Sequence, residues 1–384
     1  MKKVGIIGAG ASGLVCAIQA VSKDVSVVLF DKNSIVGKKL LATGNGRCNY
    51  WNSDQNLEHY HTSNPELLSN IITSRVQKEV LDFFDSLGVV PNIRDGYYYP
   101  YSNQASSIRD LLEIHAKKVG LEFALDTEVL DVYKENEKFV VATKDGCEYF
   151  DDLVIATGSK ASPKTGSTGD GYSFARKFGH SIIPVCPALV QVTTEGYFLK
   201  DWTGVRALCT VSLYQDDTFV KKEFGEIQLT DYGVSGICVF NLSRYISRGV
   251  LQKHKFRLAL NFLPFLDGKS NDEIFSWFSL RGNTLGDYSL VEFLEGILPY
   301  KLLLVILKRC GISLKSTWNS LSVNEKECLI HMILEFSLVV IGTKDFSSSQ
   351  VCSGGVPLTE VSSSLESKKV NLSLIHISEP TRRS

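Results

Sequence analysis

Val4-Gly5-Ile6-Ile7-Gly8-Ala9-Gly10-Ala11-Ser12-Gly13-Leu14 is the stretch whose reading decides the fold. Val4 to Ile7 is a short apolar run, and the glycine turn from Gly8 to Gly13 follows at once. Leu14, Ala17, Ile18 and Val21 then recur at helical spacing. A second apolar run, Val25 to Phe30, ends at Asp31. Strand, glycine turn, helix, strand and acid in this order make the dinucleotide-binding fingerprint in its full context. Gly8 permits the tight turn, Gly10 lets the backbone approach a pyrophosphate, and Gly13 lets the helix pack close to the strand. The helix start, with Ala11 and Ser12, offers unpaired N–H groups and a positive dipole end to phosphates. Asp31 is placed to accept hydrogen bonds from a ribose, and Lys32 stands beside it.

Composition narrows the field. A chain of 384 residues is expected to hold two or three domains, and 44% hydrophobic with 22% charged residues is ordinary for a globular protein. A net charge of −1 gives no electrostatic footprint for nucleic acid or an anionic membrane. Lys2 and Lys3 lead into a strand cut by glycines rather than a signal peptide. Leu302–Leu307 and Ser337–Ile341 fall far short of a bilayer span. Nine cysteines without regular spacing read as reduced thiols, which predicts a cytoplasmic protein, and none has metal-ligand spacing. The partner is then a small molecule, and the oligomeric state stays open.

Downstream of Asp31 runs Gly37-Lys38-Lys39-Leu40-Leu41-Ala42-Thr43-Gly44-Asn45-Gly46-Arg47-Cys48-Asn49. In a doubly wound sheet such a loop lies along the cofactor at the carboxyl ends of the strands. Arg47 suits a phosphate or an anionic reduced flavin. Asn64 to Leu87 reads as a helical region and Ala105 to Val119 as a helix. Asp95-Gly96 between aromatics suggests a hairpin. Tyr98, Tyr99 and Tyr101 either line a pocket or are half-buried strand aromatics. Short strands from Leu121 to Phe150 lead into Asp152-Leu153-Val154-Ile155-Ala156-Thr157-Gly158, a buried strand returning to the first sheet. Asp170, ahead of a helix from Tyr172, is expected to cap that helix or, second in preference, to bind a cofactor hydroxyl.

The pattern turns to strands from Ala188 to about Phe262 and to short helices from Asn271 to Met332. The predicted division is 1–187, first part of a cofactor domain; 188–265, an inserted β domain; 266–336, a helical subdomain covering a pocket; and 337–371, a return to the first domain.

Several of these stretches together resemble a known family. They are the fingerprint, Gly44-Asn45-Gly46-Arg47-Cys48-Asn49, Thr165-Gly166-Ser167-Thr168-Gly169-Asp170-Gly171, Gly179-His180, Pro187-Ala188-Leu189-Val190, Thr230-Asp231-Tyr232-Gly233-Val234-Ser235-Gly236 and Gly354-Gly355-Val356. From Met1 to about Val370 the chain resembles the aminoacetone-oxidase-like FAD-binding proteins, one branch of which acts in bacterial bile-acid dehydroxylation. The resemblance implies an α/β fold: a glutathione-reductase-like FAD-binding Rossmann domain with an inserted β-barrel-like domain and a helical subdomain. It implies FAD contacts at Gly8, Gly10, Gly13, Asp31, Arg47, Asn49, Val129 and Gly158. With their neighbours, the expected cofactor positions extend to Ala11, Ser12, Lys32, Lys39, Leu40, Thr43, Gly44, Asn45, Cys48, Ala156, Thr157, Thr168 and Asp170. Such proteins continue after Gly354-Gly355-Val356 with a further strand, a glycine-rich turn and a helix. Here Leu372 to Ser384 instead resembles a translated sequencing adapter, so the sequence predicts a truncated chain whose residues 372–384 are non-native and outside the fold.

In flavoenzymes the cofactor carries the redox step, and no catalytic base stands out. Cys48 has no partner a few residues away, which argues against a dithiol mechanism. Cys48, Tyr98 and Tyr99 remain the catalytic candidates, and His180 reads as structural. The leading expectation is hydride delivery from NAD(P)H through FAD to a conjugated organic acceptor. The chain holds no second GxGxxG, so NAD(P)H would bind transiently. An FAD-dependent amine oxidase using dioxygen is the rival enzyme, and a flavin-binding protein or fragment without turnover is the non-enzymatic alternative.

Overall fold

The computed structural model describes residues 1–62 and 64–370, and the backbone of 374–376. It divides into two compact units, one built from Met1–Val185 with the chain from Gly354 onward, the other from Cys186–Ser353.

In the first unit the chain runs β1 (Lys2–Ile7), α1 (Ala11–Ala20), β2 (Val25–Phe30), β3 (Trp51–Asn52), α2 (Pro65–Ile71), α3 (Ser74–Ser86), β4 (Pro91–Arg94), β5 (Tyr97–Pro100), α4 (Ala105–Lys118) and β6 (Glu122–Ala124). It continues through β7 (Val129–Glu135), β8 (Lys138–Thr143), β9 (Gly146–Phe150), β10 (Asp152–Ile155), α5 (Asp170–Lys177) and β11 (Ile183–Ala188). The central sheet is parallel and runs β10-β1-β2-β6, with a fifth strand, given below, beyond β10. Apolar runs buried on both faces are what a parallel sheet needs. Val4, Ile6, Val27, Leu29 and Val154 face α1 and α4, where Leu14, Ala17, Ile108 and Leu112 meet them. Ile7, Val28, Phe30, Leu153 and Ile155 face the opposite way, onto Phe139, Val141 and Phe150 of the β7-β8-β9 sheet and Phe174 of α5.

The helical region expected over 64–87 is two helices. The first ends at Ile71 with Ile72 as its C-cap, and Thr73 starts the second, its hydroxyl accepting the Val76 N–H at 3.2 Å as the cap of α3.

The second unit runs β12 (Val192–Thr194), β13 (Arg206–Gln215), β14 (Thr218–Leu229), β15 (Gly233–Ser235), α6 (Ile237–Leu251), β16 (Phe256–Asn261), α7 (Asn271–Leu285), α8 (Leu290–Leu294), α9 (Tyr300–Cys310), α10 (Val323–Leu334) and β17 (Phe336–Thr343). The strands close a barrel in the order β12-β15-β14-β13-β16-β17. Two expected boundaries are corrected. β17 pairs with both β12 and β16 and so completes the barrel, and the chain returns to the first unit at Gly354, not at residue 337. The helices of 266–336 are not a separate subdomain over a pocket. Leu290, Leu294, Leu302, Val305 and Ile306 share one core with barrel residues Val211, Leu258 and Phe336. Trp202 is the anchor of that core, with ring contacts to Phe198 and Phe336 and its Nε1 donating to the Thr230 carbonyl at 3.2 Å. Among the described residues no helix is long and apolar enough to cross a membrane.

β18 (Val351–Gly355) forms a two-stranded sheet with β11 at the two chain crossings. In the first unit Glu360 then ties the returning chain down. Its carboxylate accepts from the Ser181 N–H at 3.0 Å and the Ser181 hydroxyl at 2.6 Å, and it meets His180 Nδ1 at 2.9 Å. His180 Nε2 meets the Ser367 hydroxyl at 2.7 Å, so this buried histidine is a structural clamp. Burial works to raise the Glu360 pKa, but hydrogen bonds from Ser181 and His180 outweigh it and hold the carboxyl below the usual glutamate value. A depressed folded-state pKa stabilises fully above the unfolded value of about 4.3, and the contribution is lost as pH falls through the folded one. Wild type is therefore expected to melt above a Glu360→Gln variant by a constant margin at neutral pH, with the margin closing below about pH 4. Melting curves across that range check it.

Of the segment from Leu372 set aside on sequence, Leu374–His376 is described, and its backbone corrects that exclusion. It adds a parallel strand, β19, beside β10, with Leu374 opposite Leu153. The remainder of 372–384 lies outside the described residues.

Candidate functional site

Three glycines shape the turn between β1 and α1, each for a different reason. Gly8 has φ +107°, a backbone that side chains disfavour, and a Cβ there would lie 2.4 Å from the Ala156 carbonyl oxygen. A Cβ on Gly13 would lie 1.8 Å from the Gly8 carbonyl oxygen, so α1 can leave the turn only with glycine there. Gly10 is ordinary extended backbone, and its Cβ would meet nothing within 4 Å. The protein itself therefore gives no reason for glycine at position 10, whereas a group seated against the helix start would. Gly10 is the N-cap of α1 and supplies no side-chain cap, so the first-turn N–H groups of Ala11 and Ser12 have no side chain from it.

Asp31 fastens this turn to the end of β2. Its Oδ2 accepts the Ala9 N–H at 2.8 Å, and its Oδ1 accepts the Asn33 backbone and side-chain N–H groups, each at 2.8 Å. Gly8, Asp31, Lys32, Val129, Thr157 and Asp170, all expected from sequence, line one narrow cavity of about 50 Å³. Lys32 joins two sides of it, donating to Thr168 Oγ1 at 2.7 Å and Asp170 Oδ2 at 2.8 Å. Asp170 does not cap α5, as the sequence had favoured. The N-cap is Gly169, and the Asp170 carboxylate is engaged by Lys32 and the Thr168 hydroxyl instead. Thr157 Oγ1 accepts the Gly171 N–H at 3.1 Å and ties the end of β10 to α5. Ala156 is buried, with its carbonyl packed against Gly8. Gly158, at φ +75°, lies beside the Ser167 hydroxyl. Sequence reading missed Thr127, Glu128, Gly166 and Phe174 of this cavity. Only the neighbourhood of Val129 hinted at the first two, and Phe174 reads as an ordinary core residue of an amphipathic helix.

The loop over Thr43–Asn49 does not line that cavity. Gly44, Asn45, Gly46 and Cys48 all have positive φ, at 55°, 55°, 80° and 57°. Left-handed backbone at the two non-glycine residues costs roughly 1–2 kcal/mol each and is characteristic of functional loops. Hydrogen bonds from the Cys48 N–H to the Thr43 carbonyl (3.0 Å) and from Thr43 Oγ1 to the Leu40 carbonyl (2.7 Å) hold it. The Arg47 guanidinium lies over the Tyr99 ring at 5.7 Å, and Tyr98 packs edge-on against Tyr50. Tyr98 and Tyr99 therefore serve the loop and its sheet as packing partners.

Two expected contacts turn inward. Leu40 is buried in the core of the first unit, and Lys39 Nζ donates to the Ala161 carbonyl at 3.1 Å. Cys48 is buried, and burial pushes its thiol up despite a hydrogen bond with Thr43. A raised thiol is protonated at neutral pH and is a poor nucleophile. In the folded protein Cys48 should resist alkylation by iodoacetamide at pH 7 while the exposed Cys147 and Cys328 react. Peptide mass mapping checks it, and early modification of Cys48 would restore it as a candidate nucleophile.

The open space at Gly10, the Asp31 carboxylate and the left-handed loop fit a dinucleotide laid across the carboxyl ends of the parallel strands. The comparisons agree. The family model described as HI0933-like protein Rossmann domain matches residues 2–376. The 3-dehydro-bile acid delta(4,6)-reductase of Clostridium scindens is 35% identical over 364 residues, covering 94% of this chain and 88% of that protein. The ribosomal RNA dihydrouridine synthases of Escherichia coli and Haemophilus influenzae are 27% and 25% identical, covering 95% of this chain and 88% and 89% of theirs. These relatives give no support to the amine-oxidase side of the sequence resemblance. With the family model spanning nearly the whole chain, the protein belongs to the HI0933-like Rossmann-domain family of FAD-binding oxidoreductases.

Proposed function

We propose that the protein is an FAD-dependent reductase that takes hydride from NAD(P)H and delivers it to a conjugated organic acceptor. Bound FAD supplies the two-electron chemistry: oxidation of NAD(P)H to NAD(P)⁺ balances addition of hydride and a solvent proton across a carbon–carbon double bond. The observation that carries the reading is the vacant approach at Gly10 beside the Asp31-fastened turn, in a chain 35% identical to a reductase over 94% of its length.

The protein's own residues bind and orient. The first turn of α1 presents N–H groups and a positive dipole end to the pyrophosphate. Asp31, already accepting three N–H groups, is held rigidly for the ribose hydroxyls. Arg47, seated over Tyr99, places a cation at the loop, where it offsets negative charge on the cofactor. The buried, protonated Cys48 takes no part in dithiol exchange. NAD(P)H visits transiently, since the sequence holds a single glycine fingerprint.

Turnover without dioxygen tests this. NAD(P)H oxidation that depends on a conjugated enone and yields the saturated ketone is the expected result. Hydrogen peroxide formed from a small primary amine without NAD(P)H would replace the reductase with the dioxygen-using amine oxidase.

A further inference from the structure

A second cavity in the first unit, about 300 Å³, opens at Asn49, where the strained loop ends. Its walls are Tyr50, Trp51 and Tyr60 on one side and Ile72, Val76 and Val80 on the other, with Gln55 and Gln77 as the amides between them. We propose that this cavity is the acceptor pocket and that it takes a neutral, rigid, ring-shaped molecule with a hydrogen-bonding end. The inference rests on the reductase reading above and names the substrate class for it.

Four observations carry it. The volume lies at the lower end of the range that small-molecule sites occupy. No lining residue is an acid, a lysine, an arginine or a histidine, so a charged ligand would be desolvated without a partner. The walls are preorganised: Tyr50 packs on Phe84 at 4.7 Å, its N–H donates to the Tyr98 carbonyl at 3.0 Å, and the Tyr60 hydroxyl donates to Gln55 Oε1 at 2.7 Å. Gln55 in turn donates to the Asn52 carbonyl at 2.5 Å. The last observation is in α3. Its apolar stripe continues from Phe83, buried in the core, back through Val80 to Val76, which is 38% exposed. The amino-terminal half of that stripe therefore faces the cavity instead of protein. Planar aromatic walls opposite three β-branched side chains suit a flat, fused-ring body, and the amides of Asn49 and Gln77 suit a carbonyl or hydroxyl at its end. Asn49 belongs both to this lining and to the loop that the sequence resemblance assigns to the cofactor, so on the reductase reading the ligand would lie beside the flavin.

The test uses the oxidised, flavin-loaded protein and progesterone, a neutral fused-ring enone, as the probe. Binding is read by equilibrium dialysis and by quenching of Trp51 fluorescence, with Trp51→Phe as the spectral control. Saturable binding to wild type is expected, weakened at least tenfold by Val80→Trp and by Val76→Trp, each of which fills the cavity from the same wall. Unchanged flavin absorbance and melting curves certify that both variants are folded. Val80→Ala, which widens the cavity, should keep binding. No saturable binding to wild type, or wild-type affinity in both tryptophan variants, overturns the proposal. Whether NAD(P)H bleaches the flavin is measured separately, so failure of the reductase reading is told apart from failure of the pocket.

Discussion

Replacement of Gly13 by alanine is expected to yield a destabilised first unit that carries no flavin. The added methyl would sit 1.8 Å from the Gly8 carbonyl oxygen, a backbone atom that cannot swing aside. Either α1 moves off β1 or the turn at Gly8 deforms, and Gly8 is itself held by its N–H bond to the Phe30 carbonyl at 2.8 Å. Overpacking against side chains costs about 1–3 kcal/mol, and against a fixed backbone the cost lies at or above the top of that range. At about 2–4 °C per kcal/mol for a unit of this size, melting should fall by roughly 6–12 °C or more. A differential scan with a flavin absorbance spectrum reads both effects. A Gly13→Ala protein that melts like wild type would mean that the helix is not packed as described.

Gly10→Val should do something different: abolish flavin binding and leave the fold alone. The backbone at position 10 has φ −75° and ψ −171°, which valine adopts readily, and its Cβ meets nothing within 4 Å. The folding cost is the poorer N-cap, on the order of 1 kcal/mol. The valine methyl groups instead enter the space beside the first N–H groups of α1, where the pyrophosphate belongs. Bound FAD adds its own stability, about 2.7 kcal/mol at a hundredfold excess over Kd, so the comparison is made between deflavinated proteins. Melting lowered by no more than about 2–4 °C, with loss of FAD uptake, is expected. Retained uptake would remove the pyrophosphate from this turn.

How much of this was legible in the sequence follows from how local each signal is. The β1–turn–α1–β2 unit is read directly, because glycine spacing and double-sided apolar runs are consequences of backbone geometry within thirty residues. At Gly8 and Gly13 a Cβ would collide with backbone, as a tight turn and a close helix start require, while at Gly10 it would meet nothing within 4 Å. The loop after Asp31 is legible as a dense run of glycine and polar groups. The left-handed backbone of Asn45 and Cys48 is not, because tertiary contacts impose it. Asp170 was misread for the same reason. Capping preference is a local rule, and the Lys32 that claims the carboxylate lies 138 residues away.

In the second unit, periodicity tells which face of an element is apolar but not what covers it. The helices of 266–336 therefore looked independent of the barrel whose core they share. The first half of β14, with Lys221, Lys222 and Glu223, alternates too weakly to read as a strand. The Asp216-Asp217 turn that pairs it with β13, at φ 47° and 62°, carries no glycine to announce it. Sequence does not distinguish the covered from the uncovered half of the apolar stripe of α3, and its uncovered amino-terminal half is visible only in the folded chain.

Anaerobic titration of the purified protein with NADH and with NADPH tests the central claim most directly. The protein should be yellow, with FAD stoichiometric with the chain. One of the two nicotinamides should bleach it in proportion to what is added, and a conjugated enone should restore the colour. A protein that takes up no FAD, or a bound flavin that neither nicotinamide reduces, would contradict it.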